Sequence, residues 1–105
     1  MNAFKQIGVI GSGAMGRGIA QLFASAGVEV LLHDSRSEAI EQALTQNREL
    51  LERAAAKGKL SAEALADTLA RMRAAPRLQD LAGCDLLIEA IVENLEAKQS
   101  LFREL

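Results

Sequence analysis

The chain has 105 residues, half of them hydrophobic and 3% aromatic, and a formal net charge of −2 at pH 7. This length suits one domain with a single core. The balanced charge and scarce aromatics argue against a nucleic-acid partner, and the apolar runs are too short to span a membrane. Cys84 has no partner for an internal disulfide, and we expect it to be half-buried and unreactive. The start of the chain lacks a signal-peptide pattern, so the cytoplasm is the expected location.

A glycine motif follows the first predicted strand. The apolar run at residues 7–10 leads into G-x-G-x-x-G. Gly11 permits a tight turn, Gly13 allows a pyrophosphate to approach the backbone, and Gly16 allows the next helix to pack closely. That helix is predicted from about Ala14 to just before Gly27 and directs its positive N-terminal end at the phosphates. Its recurring apolar residues are Met15, Ile19, Leu22, Phe23 and Ala26.

An acidic residue closes the second predicted strand. The apolar run at residues 28–32 is typical of a parallel strand buried on both faces, and Asp34 lies at its carboxyl end. A carboxylate there accepts hydrogen bonds from the adenosine ribose and repels the 2′-phosphate of NADP. The sequence therefore predicts NAD as the cofactor. Arg36 is an argument for NADP, because its positive charge would attract the 2′-phosphate. We interpret His33 as a strand-end residue without a catalytic role.

A helical hairpin is predicted at about residues 36–72. Its first helix runs to about Lys57, which at about 22 residues would be roughly 33 Å long. We expect a capping box of Ser35 and Glu38 at its start and a left-handed Gly58 after its end. Its apolar face comprises Ile40, Ala43, Leu44, Asn47, Leu51 and Ala54.

The second helix of the hairpin leads to two further strands. Ser61 is its expected N-cap, and its apolar stripe is Leu65, Leu69 and Met72. A short third strand is predicted at 72–75, before Pro76, and a buried fourth strand at 85–90, followed by a helix from about Leu95. Strands one and four should be adjacent, which would bring Glu93 and Lys98 near the cofactor. The predicted fold is α/β, a Rossmann-type doubly wound parallel sheet with a helical-hairpin insertion after strand two.

Three stretches carry a resemblance to a known family: IGVIGSGAMGRGIA, KGKLSAE and DLLIEAIVENLEAKQSLF. Over its whole length the chain resembles the N-terminal NAD-binding domain of 3-hydroxyacyl-CoA dehydrogenases. The resemblance implies an enzyme that passes hydride between NAD and C3 of a 3-hydroxyacyl-CoA, giving the 3-ketoacyl-CoA, as in fatty-acid oxidation.

The resemblance also implies roles for individual residues. It assigns Asp34 to the adenosine ribose and Lys57 to the CoA phosphates, and it places Leu50 where some members have a CoA-contacting serine. The implied pyrophosphate loop comprises Gly11, Ser12, Gly13, Ala14, Met15 and Gly16. The implied nicotinamide-end positions are Ala90, Glu93 and Lys98. Simpler interpretations are a helix-ending cation for Lys57 and an exposed ion pair for Glu93 and Lys98.

In this family a histidine paired with a glutamate moves the proton, and a C-terminal helical domain closes the cleft and forms a homodimer. We expect these parts to lie beyond residue 105, so that residues 1–105 form an NAD-binding domain without turnover of its own. The alternatives are a β-hydroxyacid dehydrogenase, which would lack the long hairpin, a nucleotide-sensing binding module, and a dehydrogenase-like fold kept for a structural role.

Overall fold

The structure, a computed structural model, describes residues 4–90. A four-stranded parallel sheet carries the helices, which confirms the predicted α/β Rossmann-type class. The elements in chain order are β1 (Gln6–Ile10), α1 (Ala14–Ser25), β2 (Glu29–His33), α2 (Ser37–Ala56), α3 (Ala62–Arg71), β3 (Met72–Ala74), a 3₁₀-helix (Leu78–Leu81) and β4 (Leu86–Glu89).

The strand order is β3-β2-β1-β4, so that β2 and β1 are the interior strands. Val9 of β1 is in register with Leu32 of β2 on one side and with Ile88 of β4 on the other. The predicted adjacency of the first and fourth strands is confirmed. The carboxyl ends of the four parallel strands therefore lie at one edge of the sheet, where ligands of such folds bind.

The main core lies between the helices and one face of the sheet. Ile7, Val9, Val30 and Leu32 are fully buried there and pack against residues of α1, α2 and α3. On the other face, within residues 4–90, a smaller cluster forms around Leu81 of the 3₁₀-helix.

Burial on both faces is confirmed for β2 but wrong for β4. Val30, Leu31 and Leu32 are all buried, whereas Leu87 is 51% exposed and Glu89 is also exposed. Among the described strands β4 lies at the sheet edge, and the 3₁₀-helix covers little of its outer face. Hydrophobicity alone did not distinguish a central from an edge strand.

The buried face of α1 consists of small residues, namely Gly16, Ala20 and Ala24. Met15 and Leu22, which contribute to the predicted apolar periodicity, are 58% and 69% exposed. Small side chains let the helix axis approach the sheet, so size and not apolarity decided which face of α1 is buried.

The start of α2 differs from the prediction. Its N-cap is Arg36, with no side-chain capping hydrogen bond, so the capping box of Ser35 and Glu38 is wrong. The Arg36 N–H instead donates to Asp34 Oδ1 at 3.0 Å, which provides an acceptor from the preceding loop. After the helix, Gly58 has a φ of +76°, as predicted for a left-handed residue that ends a helix.

The predicted cap of α3 is confirmed, because the Ala64 N–H donates to Ser61 Oγ at 3.0 Å. Met72 does not continue the helical stripe and instead begins β3, which pairs with β2. Asn47 of α2 is buried, and its side-chain amide connects α2 to α1 and β3. It donates to Arg17 O of α1 at 3.1 Å and to Met72 Sδ of β3 at 3.5 Å.

Within residues 4–90, no helix is both long and apolar enough to cross a membrane.

Candidate cofactor-binding site

A cavity of about 450 Å³ opens at the carboxyl edge of the sheet. It brings together the glycine turn, the end of β2 and the residue that follows β4, as the strand order predicts. Its lining residues are Ile10, Gly11, Ser12, Gly13, His33, Asp34, Ser35, Arg36, Leu78 and Ala90.

The glycine turn is built from close backbone contacts. Gly11 has a φ of +106°, and its N–H donates to His33 O at 2.8 Å. A Cβ placed on Gly16 would lie 1.7 Å from Gly11 O, a distance that no side chain tolerates. The predicted close approach at Gly16 is confirmed, and its main partner is the turn itself.

The first turn of α1 is open to an anion. Its N-cap, Gly13, makes no side-chain capping hydrogen bond, and the turn contains no acidic residue. Ala14, Met15 and Gly16 lie in this turn, next to the cavity but outside its lining. Backbone N–H groups and the positive end of the helix dipole suit a pyrophosphate at this position.

Asp34 is the acid of the cavity, and its side chain is only 15% exposed. Oδ2 accepts the Ser12 N–H at 3.0 Å and the Ser12 hydroxyl at 2.8 Å, while Oδ1 accepts the Arg36 N–H. Partial burial raises the pKa of Asp34, but the hydrogen bonds from Arg36 and Ser12, together with the Arg36 charge, outweigh burial and lower the pKa below its usual value. The carboxylate is therefore ionised at neutral pH and able to accept from ribose hydroxyls.

Arg36 lies beside this carboxylate. Its Nε is 3.9 Å from Asp34 Oδ1, and its side chain is 72% exposed. An ion pair this long and exposed contributes little to stability. The guanidinium is thus already next to the negative charge that is expected to exclude a 2′-phosphate.

Ala90 follows β4 and is 2% exposed; its N–H donates to Ile10 O at 2.7 Å. This bond extends the β1–β4 pairing to the mouth of the cavity, where the nicotinamide end is expected. Glu93 and Lys98, the other two residues predicted there, lie outside the described residues.

Leu78 lines the cavity, although the sequence analysis does not predict a role for it. It is 57% exposed at the start of the 3₁₀-helix, whose first turn is held by Arg77 and Asp80. No motif marks this position, because the loop after β3 reaches the cavity only through the folded sheet. An apolar side chain there suits the flat face of a base.

His33 and Cys84, for which no catalytic role is predicted, both have structural surroundings within the fold. His33 Nδ1 donates to Ala75 O at 2.7 Å and so joins the end of β2 to the residue after β3. Cys84 is partly buried, and desolvation together with the neighbouring Asp85 charge raises the pKa of its thiol. A raised pKa disfavours the nucleophilic thiolate.

Leu50 and Lys57 are the two positions that the family resemblance places near CoA. They lie on α2 and at its C-terminal end, outside the lining of the cavity. Leu50 is 50% exposed and lines a groove of about 310 Å³ between α1 and α2, together with Arg17 and Arg53. Lys57 is the exposed C-cap of α2 and lies outside the lining of that groove.

The residues of the cavity fit a dinucleotide. The bare first turn of α1 suits the phosphates, and the ionised Asp34 suits a ribose. The absence of a Cβ at Gly16 lets the helix begin directly at the turn. All three features belong to the dinucleotide motif.

Comparison with known proteins agrees with this geometry. Residues 6–105 match the family model described as "3-hydroxyacyl-CoA dehydrogenase, NAD binding domain". The chain is 42% identical over 101 residues to a 3-hydroxybutyryl-CoA dehydrogenase of Bradyrhizobium diazoefficiens, covering 96% of this chain and 34% of the relative. It is 43% identical over 99 residues to the 3-hydroxyadipyl-CoA dehydrogenase of Escherichia coli, covering 94% and 21% respectively.

Solved structures show the same relationship. A 3-hydroxybutyryl-CoA dehydrogenase from Escherichia coli superposes with a TM-score of 0.83 at 41% identity, covering 99% of this chain and 22% of that chain. The (S)-3-hydroxybutyryl-CoA dehydrogenase of Ralstonia eutropha has a TM-score of 0.83 at 31% identity, covering 97% and 36%. The chain thus spans about a third or less of these relatives. It belongs to the family of NAD-binding domains of 3-hydroxyacyl-CoA dehydrogenases.

Proposed function

We propose that this chain is the cofactor-binding part of an enzyme that oxidises a 3-hydroxyacyl-CoA to the 3-ketoacyl-CoA with NAD. One observation carries the proposal: the glycine turn, Asp34 and Ala90 converge on one cavity at the carboxyl edge of the sheet. The names of the relatives supply the substrate class.

The chain's own residues bind and orient the dinucleotide. The N–H groups of the first turn of α1 hold the pyrophosphate, and Asp34 accepts from the adenosine ribose. Leu78 offers an apolar surface to the adenine. Ala90, with Glu93 and Lys98, is proposed to flank the nicotinamide. When bound, NAD supplies the hydride acceptor for C3 of the substrate.

The proton of the substrate hydroxyl needs a general base. Within residues 4–90, His33 donates its Nδ1 hydrogen to a backbone carbonyl and serves as a structural residue. We therefore propose that the base, the region that closes over the acyl-CoA and the homodimer contacts belong to further polypeptide.

Two further proposals concern the substrate and the location. Lys57 is proposed to contact the CoA phosphates, and the cytoplasm is the proposed location.

Titration of NADH into the purified chain, followed by nicotinamide fluorescence, tests the cofactor assignment. We expect saturable binding that is stronger for NADH than for NADPH. Asp34→Ala should reduce this preference, because it removes both the ribose acceptor and the charge that repels the 2′-phosphate. Absence of NADH binding by a chain that circular dichroism shows to be folded would contradict the assignment.

A turnover assay separates the proposed division of labour from its alternative. NADH oxidation with acetoacetyl-CoA should be absent for residues 1–105 and present for a longer polypeptide that supplies a histidine base. Substantial activity of residues 1–105 alone would overturn this division. A nucleotide-sensing module would bind NADH and show no acetoacetyl-CoA activity in any longer form.

A further inference from the structure

The second residue of the glycine motif has an unexpected set of partners. Both hydrogen-bond donors of Ser12 meet the same atom: its N–H lies 3.0 Å and its Oγ 2.8 Å from Asp34 Oδ2. Ser12 is only 6% exposed. Both donors are therefore committed to the ribose-binding acid, although the motif predicts that this loop directs donors at the pyrophosphate.

The two bonds determine which oxygen of Asp34 is left for a ligand. An ionised carboxylate has about four lone-pair positions, two on each oxygen. The two Ser12 donors occupy those of Oδ2, whereas Oδ1 accepts one N–H, from Arg36. Ser12 thus leaves an acceptor position on Oδ1 for a ribose hydroxyl.

The Ser12 hydroxyl is not needed to shape the turn itself. Backbone bonds hold both ends of it: the Gly11 N–H donates to His33 O at 2.8 Å, and the Arg17 N–H donates to Gly13 O at 3.0 Å. Removing the hydroxyl would leave these bonds and the Ser12 N–H in place. Its specific contribution is the orientation of the carboxylate.

Arg36 is the competing partner of that carboxylate. Its N–H bonds Oδ1, and its guanidinium lies 3.9 Å from the same oxygen. Without the Ser12 hydroxyl, Asp34 Oδ2 keeps only the Ser12 N–H as a donor, and the carboxylate is held less firmly against a turn toward this cation. Such a turn would withdraw both the ribose acceptor and the charge that repels a 2′-phosphate.

We propose that Ser12 is a positioning residue for cofactor choice, whose hydroxyl orients Asp34 so that the site prefers NADH to NADPH. The inference rests on the proposed function, because it assumes that a dinucleotide occupies the cavity. Ser12 acts here through Asp34 and not on the phosphates.

A double-mutant cycle tests this assignment. Dissociation constants for NADH and NADPH are measured by nicotinamide fluorescence for the wild-type chain, Ser12→Ala, Asp34→Ala and the double variant. Ser12→Ala should weaken NADH binding about tenfold, as expected for one charge-assisted hydrogen bond, and change NADPH binding much less. In the Asp34→Ala background the same change should have no further effect.

Two further variants separate this role from a folding defect. Ser12→Thr keeps the hydroxyl and should retain the preference for NADH. Ser12→Gly removes the hydroxyl, keeps the N–H and should repeat the loss seen with alanine, with the fold of each variant checked by circular dichroism.

The inference is overturned if Ser12→Ala weakens NADH and NADPH equally, or if its effect adds to that of Asp34→Ala. Either result would place Ser12 on the pyrophosphate, which the two dinucleotides share. A wild-type chain that binds neither dinucleotide overturns the proposed function first, and this inference with it.

Discussion

Gly16 and Gly18 lie two residues apart on α1, and their surroundings are opposite. A Cβ on Gly16 would lie 1.7 Å from Gly11 O and 2.8 Å from the carbon of the same carbonyl, whereas a Cβ on Gly18 would meet no atom within 4 Å. The Gly11 carbonyl belongs to the backbone of the glycine turn and cannot move without changing the shape of that turn. The two glycines therefore form a matched pair for substitution.

Gly16→Ala is expected to destabilise the chain by more than about 3 kcal/mol or to displace the turn and abolish NADH binding. Gly18→Ala should stabilise the chain by about 0.5–1 kcal/mol, because alanine loses less conformational freedom in a helix than glycine. Urea unfolding followed by circular dichroism measures both. Equal effects of the two substitutions would show that the close approach to Gly11 O does not prevent a side chain at position 16.

Asn47 is a buried polar residue of α2 that makes hydrogen bonds to two neighbouring elements. It is 2% exposed, and its amide donates to Arg17 O and Met72 Sδ. Asn47→Ala should cost about 1–3 kcal/mol of unfolding free energy, since it removes two hydrogen bonds from a buried site. Gln46→Ala changes a neighbouring exposed residue on the same helix and is the control for helix propensity. A loss no greater than that of the control would refute this role.

At the scale of elements, the C-terminal end of α1 is bound by a side chain from α3. Arg71 Nη1 donates to Ala24 O at 3.0 Å, so a cation serves a carbonyl in the last turn of α1. Arg73, two residues later, makes an ion pair with Glu29 at 3.6 Å in which both side chains are about half exposed. The first contact satisfies a helix end, whereas the second lies in solvent.

Arg71→Met should therefore lower the unfolding free energy by about 1–2 kcal/mol, through loss of a charged hydrogen bond and of a favourable charge at the helix end. Arg73→Met should cost less than about 1 kcal/mol, as exposed ion pairs do. Urea denaturation at low and moderate salt distinguishes them. The α1–α3 contact would be shown to be unimportant if Arg73→Met proved the more damaging change.

Across the whole molecule, two aspartates connect separate parts of the sheet. Asp85 Oδ2 accepts the N–H groups of Lys5 at 2.8 Å and Gln6 at 3.0 Å and so joins the starts of β4 and β1. The hydrogen bonds from Gln6 and Lys5 lower the pKa of Asp85. Asp34 likewise joins the end of β2 to the turn after β1, because it accepts the Ser12 N–H. The pKa of Asp34 is also lowered.

A carboxylate whose pKa is lower in the folded state than in the unfolded state stabilises the fold above its ordinary pKa, and this stabilisation is lost as the pH falls through the folded pKa. The unfolding free energy should therefore fall as the pH drops below about 4. Asp85→Asn keeps an acceptor oxygen and should flatten this dependence. Urea midpoints measured across the acid range check the prediction, and an unchanged acid limb in Asp85→Asn would contradict it.

Local backbone physics explains how much of the fold was predictable. Gly11 was expected at a tight turn and Gly58 as a left-handed residue after a helix, and both have a positive φ. Ser61 was expected to cap α3, and it does. These features depend on a few neighbouring residues, so their positions follow from the order of residues along the chain.

The candidate site was predictable only in part. The glycine motif and Asp34 are separated along the chain by one helix and one strand of ordinary length, so their meeting follows from the motif. Leu78 reaches the same cavity from the loop after β3, and no local pattern marks it. The bonds that commit Ser12 to Asp34 depend on how two loops approach each other in the folded chain.

The sequence by itself determined the α/β class, the helical hairpin after the second strand, the glycine turn and the position of an acidic residue at the end of the second strand. Only the tertiary structure decided that the small residues of α1 face the sheet, that Leu87 of β4 is exposed and that Arg36 replaces Ser35 as the cap of α2. The physical reason is the range of the forces involved. Turns and caps are set by neighbours in the chain, whereas burial and side-chain partnership depend on elements that folding brings together.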